Sequence, residues 1–268
     1  MRPLIFLKLG GSLITDKSIP FTERRDVIRS LASEIREALV ETGSRLLLGH
    51  GSGSYAHTPA AMYRTHQGLV SRDSVEGWAR VQDAASRLNR IVLAALLEAG
   101  VYAVSVQPSA AAVARKGRIV SWDTFIIEYL LENGITPVVY GDVVVDLQQG
   151  CSIVSTEEIF RFLSLRLRPS RVIVATDVEG VYTGDPKADP SSRKLDLIDH
   201  STFERVFGYL RRPGGFDVTG GMAAKVSTLL EICEQTGAEC EIIGGRKRGN
   251  VAQAMKGVRG LGTIIRWA

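Results

Sequence analysis

Short apolar runs that stop at a glycine, an acid or an amide recur along this chain with helical periodicities between them, and this alternation restricts the fold more than any other feature. The runs are "LIFLKLG" (4–10), "RLLLGHG" (45–51), "VYAVSVQ" (101–107), "TPVVYGD" (136–142), "RVIVATD" (171–177) and "CEIIGG" (240–245). Between the first two, "RRDVIRSLASEIREALVETG" (24–43) sets Val27, Ile28, Leu31, Ile35 and Leu39 on one helical face and ends on Gly43. "EGWARVQDAASRLNRIVLAALLEAG" (76–100) predicts a second long helix that stops at Gly100. Strands that are apolar throughout are buried on both faces, so the pattern predicts an α/β fold: a mainly parallel sheet between two helix layers, a three-layer αβα sandwich.

No repeat of fixed period appears in the 268 residues, and no Pro/Ser linker separates two independent units. One unit is expected, with an N-terminal lobe over 1–145 and a C-terminal lobe over 146–268. The polar stretch "TGDPKADPSSRK" (183–194) reads as a surface loop or short hairpin. With 45% apolar and 23% charged residues the composition is that of a globular enzyme. The net charge of +4 does not come from a basic block: Arg64, Arg72, Arg80, Arg87 and Arg90 alternate with acids. This suits an anionic small molecule and gives no support to nucleic acid as a partner. No stretch approaches the roughly 18 apolar residues of a membrane span, and the opening apolar run is too short for a signal sequence. Cys151, Cys233 and Cys240 lack C-x-x-C spacing, so neither a disulfide framework nor a zinc site is indicated. A cytoplasmic location without a membrane partner is the expectation.

The chemistry concentrates where the runs end. Lys8 lies inside the first run, just before Gly10, Gly11 and Ser12, and Lys17 follows in "LITDK". A buried lysine is costly unless an anion meets it, and paired glycines let backbone N–H groups approach that anion. A phosphate is the natural guest. "GHGSGSYAH" repeats the device after the second run, with Gly51, Ser52 and Gly53 in the turn and His57 closing it. Two such cradles on adjacent strands suggest a donor and an acceptor. "DVTGGMAAKV" (217–226) places Gly220 and Gly221 at a helix start with Lys225 about one turn inside, a further polyphosphate arrangement. Asp177, Asp185 and Asp189 are possible metal ligands, though acids in a polar loop are usually solvated. A Walker A sequence is absent. Gly51, Gly53 and Ala56 also satisfy a relaxed dinucleotide fingerprint, with Asp73 and Glu76 about 20 residues on, but that fingerprint normally follows the first strand of its unit.

Taken in order, "KLGGS", the glycine turn after the second run, "GDVV", "TDVEGVY" and "DVTGGMAAKV" resemble the amino acid kinase superfamily over essentially the whole chain. Within it, "KLGGSLITDK" and the histidine closing "GHGSGSYAH" resemble the isopentenyl phosphate kinases, with the fosfomycin kinases as relatives sharing the histidine. The resemblance implies an open, mainly parallel eight-stranded sheet, a homodimer, a phosphate acceptor in the N-terminal lobe, and ATP with Mg²⁺ in the C-terminal one. It implies transfer of a phosphoryl group from ATP to isopentenyl phosphate, with Lys8, Lys17 and Lys225 on the transferring or ATP phosphates and His57 on the acceptor phosphate. Gly10, Gly11, Ser12, Gly51, Ser52 and Gly53 would line the cradles, and Asp177, Gly180, Val181, Tyr182, Lys187, Gly220 and Gly221 would serve the nucleotide side. Two departures stand out. Relatives commonly carry Gly-Gly-Gly-Ser-Phe-Gly-His where this chain has "GSGSYAH", and Ser-Gly-Asp where it has "STE", so that the carboxylate ordering the lysines would fall to Glu157.

The residues alone are consistent with such a reaction. A phosphomonoester acceptor is already anionic near pH 7, so no base need deprotonate it, and charge repulsion is the main obstacle. Three further readings remain open at this level: a phosphonate kinase of the fosfomycin type, a dinucleotide oxidoreductase using Gly51, Gly53 and Ala56, and a regulatory module that binds nucleotide without turnover. The acceptor's apolar tail is expected beyond His57, against "TPAAMYRTHQG" (58–68) or the helix bearing Trp78, Val81 and Ala85.

Overall fold

The computed structural model describes residues 2–184, 191–210 and 221–267. Among them the first half runs β1 (Leu4–Leu9), α1 (Gly11–Ile14), α2 (Arg25–Thr42), β2 (Arg45–His50), α3 (Gly53–Met62), α4 (Arg72–Glu98), β3 (Ala103–Ser105), β4 (Val113–Arg115), β5 (Arg118–Ser121), α5 (Phe125–Glu132) and β6 (Thr136–Tyr140). The second half runs β7 (Asp142–Asp146), β8 (Gly150–Val154), α6 (Thr156–Leu167), β9 (Arg171–Thr176), β10 (Leu197–Ile198), α7 (His200–Leu210), α8 (Gly221–Thr236), β11 (Glu239–Gly244), α9 (Asn250–Met255) and β12 (Gly262–Ile265).

Eight strands form one sheet in the order β10-β12-β11-β9-β1-β2-β6-β3. Every neighbouring pair is parallel except β11 with β12. All six apolar runs are strands of this sheet, and the predicted eight-stranded, mainly parallel architecture is present. Alternation along β1 divides the core: Leu4 and Phe6 join the layer of α6 and α8, through Phe160 and Val226, while Ile5, Leu7 and Leu9 join that of α2 and α4, through Ile28, Leu31 and Leu88. The α2 face is the predicted one at Ile28, Leu31 and Ile35, with Val27 and Leu39 at its rim and Gly43 in the left-handed conformation at its end.

A second, four-stranded sheet, β5-β4-β7-β8, was not legible in the sequence. Gly141 alone separates β6 from β7, so "TPVVYGDVVVD" reads as one run although it feeds two sheets. The strands β4 and β5 span only three and four residues. The stretch 183–194 begins and ends as a hairpin, with Tyr182 bridged to Lys194 and the Thr183 amide on the Arg193 carbonyl, 3.0 Å. Residues 185–190, with Asp185, Lys187 and Asp189, lie outside the described residues, as does Gly220.

The strand order places neighbours on either side of β1, and the turns after β1, β2 and β9 share the carboxyl end of the sheet, where open α/β sheets bind ligands. There the backbones after β1 and β2 pack directly on each other. A Cβ on Gly11 would come within 2.5 Å of the Gly53 amide nitrogen, and one on Gly51 within 2.7 Å of the Gly11 nitrogen. Gly11→Ala is therefore expected to destabilise the fold by about 1–3 kcal/mol, the usual cost of overpacking. Gly208→Ala, inside α7 where an added Cβ meets nothing within 4 Å, should instead stabilise by about 0.5–1 kcal/mol. Urea unfolding followed by circular dichroism checks both, and equal effects would contradict the close approach.

Candidate active site

A cleft of about 480 Å³ opens at the carboxyl ends of β1, β2 and β9, bounded by the β8–α6 turn and the start of α8. Lys8, Gly10, Gly11, Ser12, Lys17, Gly51, Ser52, Gly53, His57, Asp177, Gly221 and Lys225 all line it. Twelve of the predicted site residues, drawn from four separate stretches of sequence, thus meet in one place. Gly180, Val181 and Tyr182 follow β9 but lie off the lining: Val181 is buried in the core with its amide on Thr263 Oγ1, 2.8 Å.

The position of Lys8 follows from strand alternation. As an even-numbered residue of β1 it faces the α6 and α8 layer like Phe6, and it is almost fully buried there. Glu157, in the first turn of α6, pairs with its ammonium, and the second oxygen of Glu157 lies 3.8 Å from Lys225 Nζ. Burial pulls Lys8 below its ordinary value, Glu157 opposes that shift, and the Lys225 and Lys17 cations add to it. Burial would raise the Glu157 carboxyl, but Lys8 and Lys225 outweigh it and hold the group down at about 2. Glu157 is therefore an anion binding two cations, and the longer side chain at this position reaches both lysines.

Lys17 sits on the exposed loop between α1 and α2. Arg24 Nη1 donates to the Ser12 carbonyl at 2.7 Å, the Asp16 amide bonds the Thr22 carbonyl at 2.8 Å, and Tyr55 OH donates to Glu23 at 2.5 Å, which anchors that loop to α1 and α3. His57 lies on the outer face of α3 at the cleft mouth. Desolvation and the Lys17 and Lys225 cations keep its imidazole below its ordinary value, so the neutral ring has one N–H to donate near pH 7.

The cradles consist of backbone. Gly10 N donates to the Ala175 carbonyl at 2.8 Å and Gly51 N to that of Leu9 at 2.9 Å, fixing where each turn leaves its strand. The amides of Gly11, Ser12, Ser52 and Gly53 find no acceptor among the described residues. Ser12 Oγ donates to Asp177 Oδ1 at 2.6 Å, tying the β1 turn to the loop after β9. Free amides and three lysines against two carboxylates make a site for anions with several negative charges. Where "GSGSYAH" carries a side chain in place of a relative's glycine, Ser52 lines the cleft, and Ala56 turns away into a small apolar cluster with Val81, Val143 and Cys151. Trp78, Ala60 and Ile153 pack on that cluster, and Ile153 also lines the cleft, so an apolar wall stands beside the β2 turn.

Sequence reasoning named Glu157 as a substitute carboxylate but did not foresee Gly141, Ser155, Thr156, Thr176 or Met222 on the lining. The Ser155 hydroxyl accepting from Glu158 N, a helix cap before "TEE", is the signal that could have placed Glu157 at a helix start. The dinucleotide reading fails on position: the glycines follow the second strand, and Asp73 and Glu76 are exposed on α4, with Glu76 paired to Arg80. A cleft of about 530 Å³ at the opposite end of the strands gathers Arg2, Arg36 and Arg45 near the ends of α2 and α5. Among the described residues no group of three metal-ligating side chains occurs, and no helix is long and apolar enough to cross a membrane.

The family model described as "Amino acid kinase family" matches residues 3–244. Isopentenyl phosphate kinase of Methanothermobacter thermautotrophicus is 41% identical over 98% of both chains, and that of Methanocaldococcus jannaschii is 30% identical over 95% of both. A crystal structure of isopentenyl phosphate kinase, 39% identical, superposes with a TM-score of 0.84 over 98% of this chain and 99% of that one.

Removing the Glu157 charge leaves Lys8 buried without a counter-ion. Glu157→Gln should lose about 3 kcal/mol, and adding Lys8→Met should restore much of it, because a buried apolar pair costs less than a lone buried charge. The folded pKa of about 2 lies below the ordinary 4.5, so the Glu157 contribution is complete above pH 4.5 and is lost as pH falls through 2. Denaturant titrations of wild type and variant should accordingly converge between those limits; a gap independent of pH would contradict the ionised pair.

Proposed function

The chain belongs to the amino acid kinase family, and from that premise we propose that it transfers the γ-phosphoryl group of ATP to isopentenyl phosphate, yielding ADP and isopentenyl diphosphate. The observation that carries this reading is the pair of glycine turns packed back to back above buried Lys8 and Glu157 and half-buried Lys225, with an apolar wall beside the β2 turn. The isopentenyl phosphate kinase structures that match this chain include a substrate complex and a T. acidophilum product complex.

In this reading residues 1–145 hold most of the acceptor and 146–268 most of the nucleotide, with the transferring phosphates between them. The acceptor phosphate lies on the Ser52 and Gly53 amides and accepts a hydrogen bond from His57, its tail turned toward Ile153 and Trp78. The ATP phosphates lie on the Gly11 and Ser12 amides, between Asp177 and the start of α8, with Gly180, Val181, Tyr182 and Gly221 on the nucleotide side. Mg²⁺, when bound, would neutralise part of the phosphate charge, and Asp177, a carboxylate on the cleft lining, would hold it together with phosphate oxygens and water.

An acceptor phosphate oxygen attacks the γ-phosphorus in line, the new P–O bond forms as the bond to the β-phosphate bridging oxygen breaks, and ADP leaves with that electron pair. The acceptor has no proton to lose, so the chain supplies charge in place of a base. Lys8, fixed by Glu157, and Lys225, set by α8, present ammonium groups to the transferring oxygens, and Lys17 reaches in from its loop. Cations held in place before the reaction are worth more than water, which must reorganise. The protein acts in the cytoplasm, where its unpaired Cys151, Cys233 and Cys240 stay reduced. It acts as a homodimer, which covers the open β3 edge and the exposed Leu97 and Val104 beside it.

Coupled ADP release across isopentenyl phosphate, fosfomycin, uridylate and acetylglutamate tests the assignment. Turnover should be fastest with isopentenyl phosphate; a rate no higher than buffer with that acceptor, alongside turnover of fosfomycin, would replace it. His57→Ala should cost about 1.5–3 kcal/mol in kcat/KM for isopentenyl phosphate, the range for a hydrogen bond to a charged group, and leave the KM for ATP unchanged. His57→Gln should recover part of the loss, and wild-type rates in His57→Ala would remove the imidazole from the acceptor site.

A further inference from the structure

The first histidine of "GHGSGSYAH", His50, has no place in the chemistry above, yet it is built into the fold with unusual completeness. His50 ends β2 with no exposed surface. Its ring stacks on Tyr140 at 5.5 Å and 11°. Nδ1 lies 3.2 Å from the Gly51 carbonyl oxygen, and Nε2 lies 3.1 Å from Asn89 Nδ2 on α4. Asn89 Oδ1 in turn accepts from Ser105 Oγ at 2.8 Å, and the His50 carbonyl accepts from Thr156 Oγ1 at 2.7 Å.

These partners settle where the proton sits. Burial and the Lys8 cation outweigh the Gly51 hydrogen bond and lower the imidazole to about 4, so the ring is neutral and has a single N–H. The Gly51 carbonyl can only accept, so Nδ1 carries the proton. Nε2 is then the acceptor for the Asn89 amide, whose own oxygen is committed to Ser105.

The consequence lies in the next peptide unit. A trans peptide points its N–H opposite its C=O. Holding the Gly51 oxygen on His50, in the interior, aims the Ser52 N–H away from that interior, on the side where Ser52 lines the cleft and its amide has no acceptor among the described residues. We propose that His50 is a positioning residue: through its Nδ1–H bond to the Gly51 carbonyl it presets the Ser52 amide as a donor to the acceptor phosphate. The inference rests on the reading of the Gly51–Gly53 turn as the acceptor cradle. It explains why a histidine stands at the end of a strand whose other buried residues, Leu46 to Gly49, are apolar: an aliphatic residue would fill the space and leave the peptide free to turn over.

Asparagine places a donor near Nδ1, whereas glutamine places its polar group near Nε2 and leaves Gly51 without a donor. His50→Gln should raise the KM for isopentenyl phosphate about tenfold with the KM for ATP unchanged, and His50→Asn should recover most of that loss. Equal changes in both variants, or equal changes in both KM values, would make His50 a packing residue only. Two spectroscopic readouts accompany the kinetics. In wild type the Ser52 amide resonance should shift when isopentenyl phosphate is added without ATP, and the shift should shrink in His50→Gln. No shift in wild type would overturn the acceptor cradle itself, whereas equal shifts in both proteins would overturn only the role of His50. Nitrogen-15 spectra of the wild-type imidazole, which need no variant to fold, should place the proton on Nδ1; a proton on Nε2 would overturn the proposal.

Discussion

An ammonium group in the middle of the central sheet is the constraint on which the rest of this molecule depends. Lys8 occupies a position in β1 that its neighbours Phe6 and Leu4 would make apolar, and burying a lone charge there would cost several kcal/mol. Glu157 answers it, which requires the first turn of α6 to lie over β1. The four-stranded sheet makes that placement firm. Glu158, the next residue, accepts from the Ile119 amide of β5 at 2.7 Å and from Arg161 at 2.7 Å, and Arg118 of β5 reaches Glu231 of α8 at 2.5 Å. The small sheet thus ties α6 to α8, and with α8 comes Lys225. What looks peripheral in the topology sets the spacing of two cations at the cleft.

The second constraint is steric and acts on the opposite charge. Polyphosphate oxygens need several donors within a few ångströms, and side chains around those donors would keep the phosphates apart. Gly11 against Gly51 and Gly53 brings two strand-end turns into backbone contact, so amides from both converge on one small volume. Lys8, Lys17 and Lys225 stand around the same volume, and in the proposed reading they offset the repulsion between two anions held next to each other there. In that reading binding and catalysis draw on the same charges: groups that let the phosphates approach also meet the charge that develops as the phosphoryl group moves.

Much of this was legible in the sequence, for physical reasons that differ by element. Buried parallel strands are apolar on both faces, so "LIFLKLG" and "RVIVATD" stand out, and the glycines that end such runs mark the ligand-binding edge. The α2 helix was readable because one face is apolar and Gly43 ends it. The small sheet was not, since β4 and β5 are too short to show alternation and β7 continues β6 after one glycine. Glu157 carried a local sign, an acid behind a capping serine, but nothing local shows that a strand 150 residues earlier lies beneath it. His50 is the clearest case of information held only in three dimensions, because its partners Asn89, Ser105 and Tyr140 come from three other elements.

Whether Lys8 and Glu157 act as one unit on the transferring group is best measured by a double-mutant cycle on kcat with ATP and isopentenyl phosphate, using Lys8→Met, Glu157→Gln and the pair together. A lysine held in place only by its carboxylate loses its effect when either partner is removed. Each single substitution should therefore lower kcat by roughly 10²–10³, the cost of losing one fixed donor to a developing charge, and the double variant should fall little below the worse single. Losses that multiply, giving a double variant at roughly 10⁴ or more below wild type, would contradict it and show that the two residues serve the reaction independently.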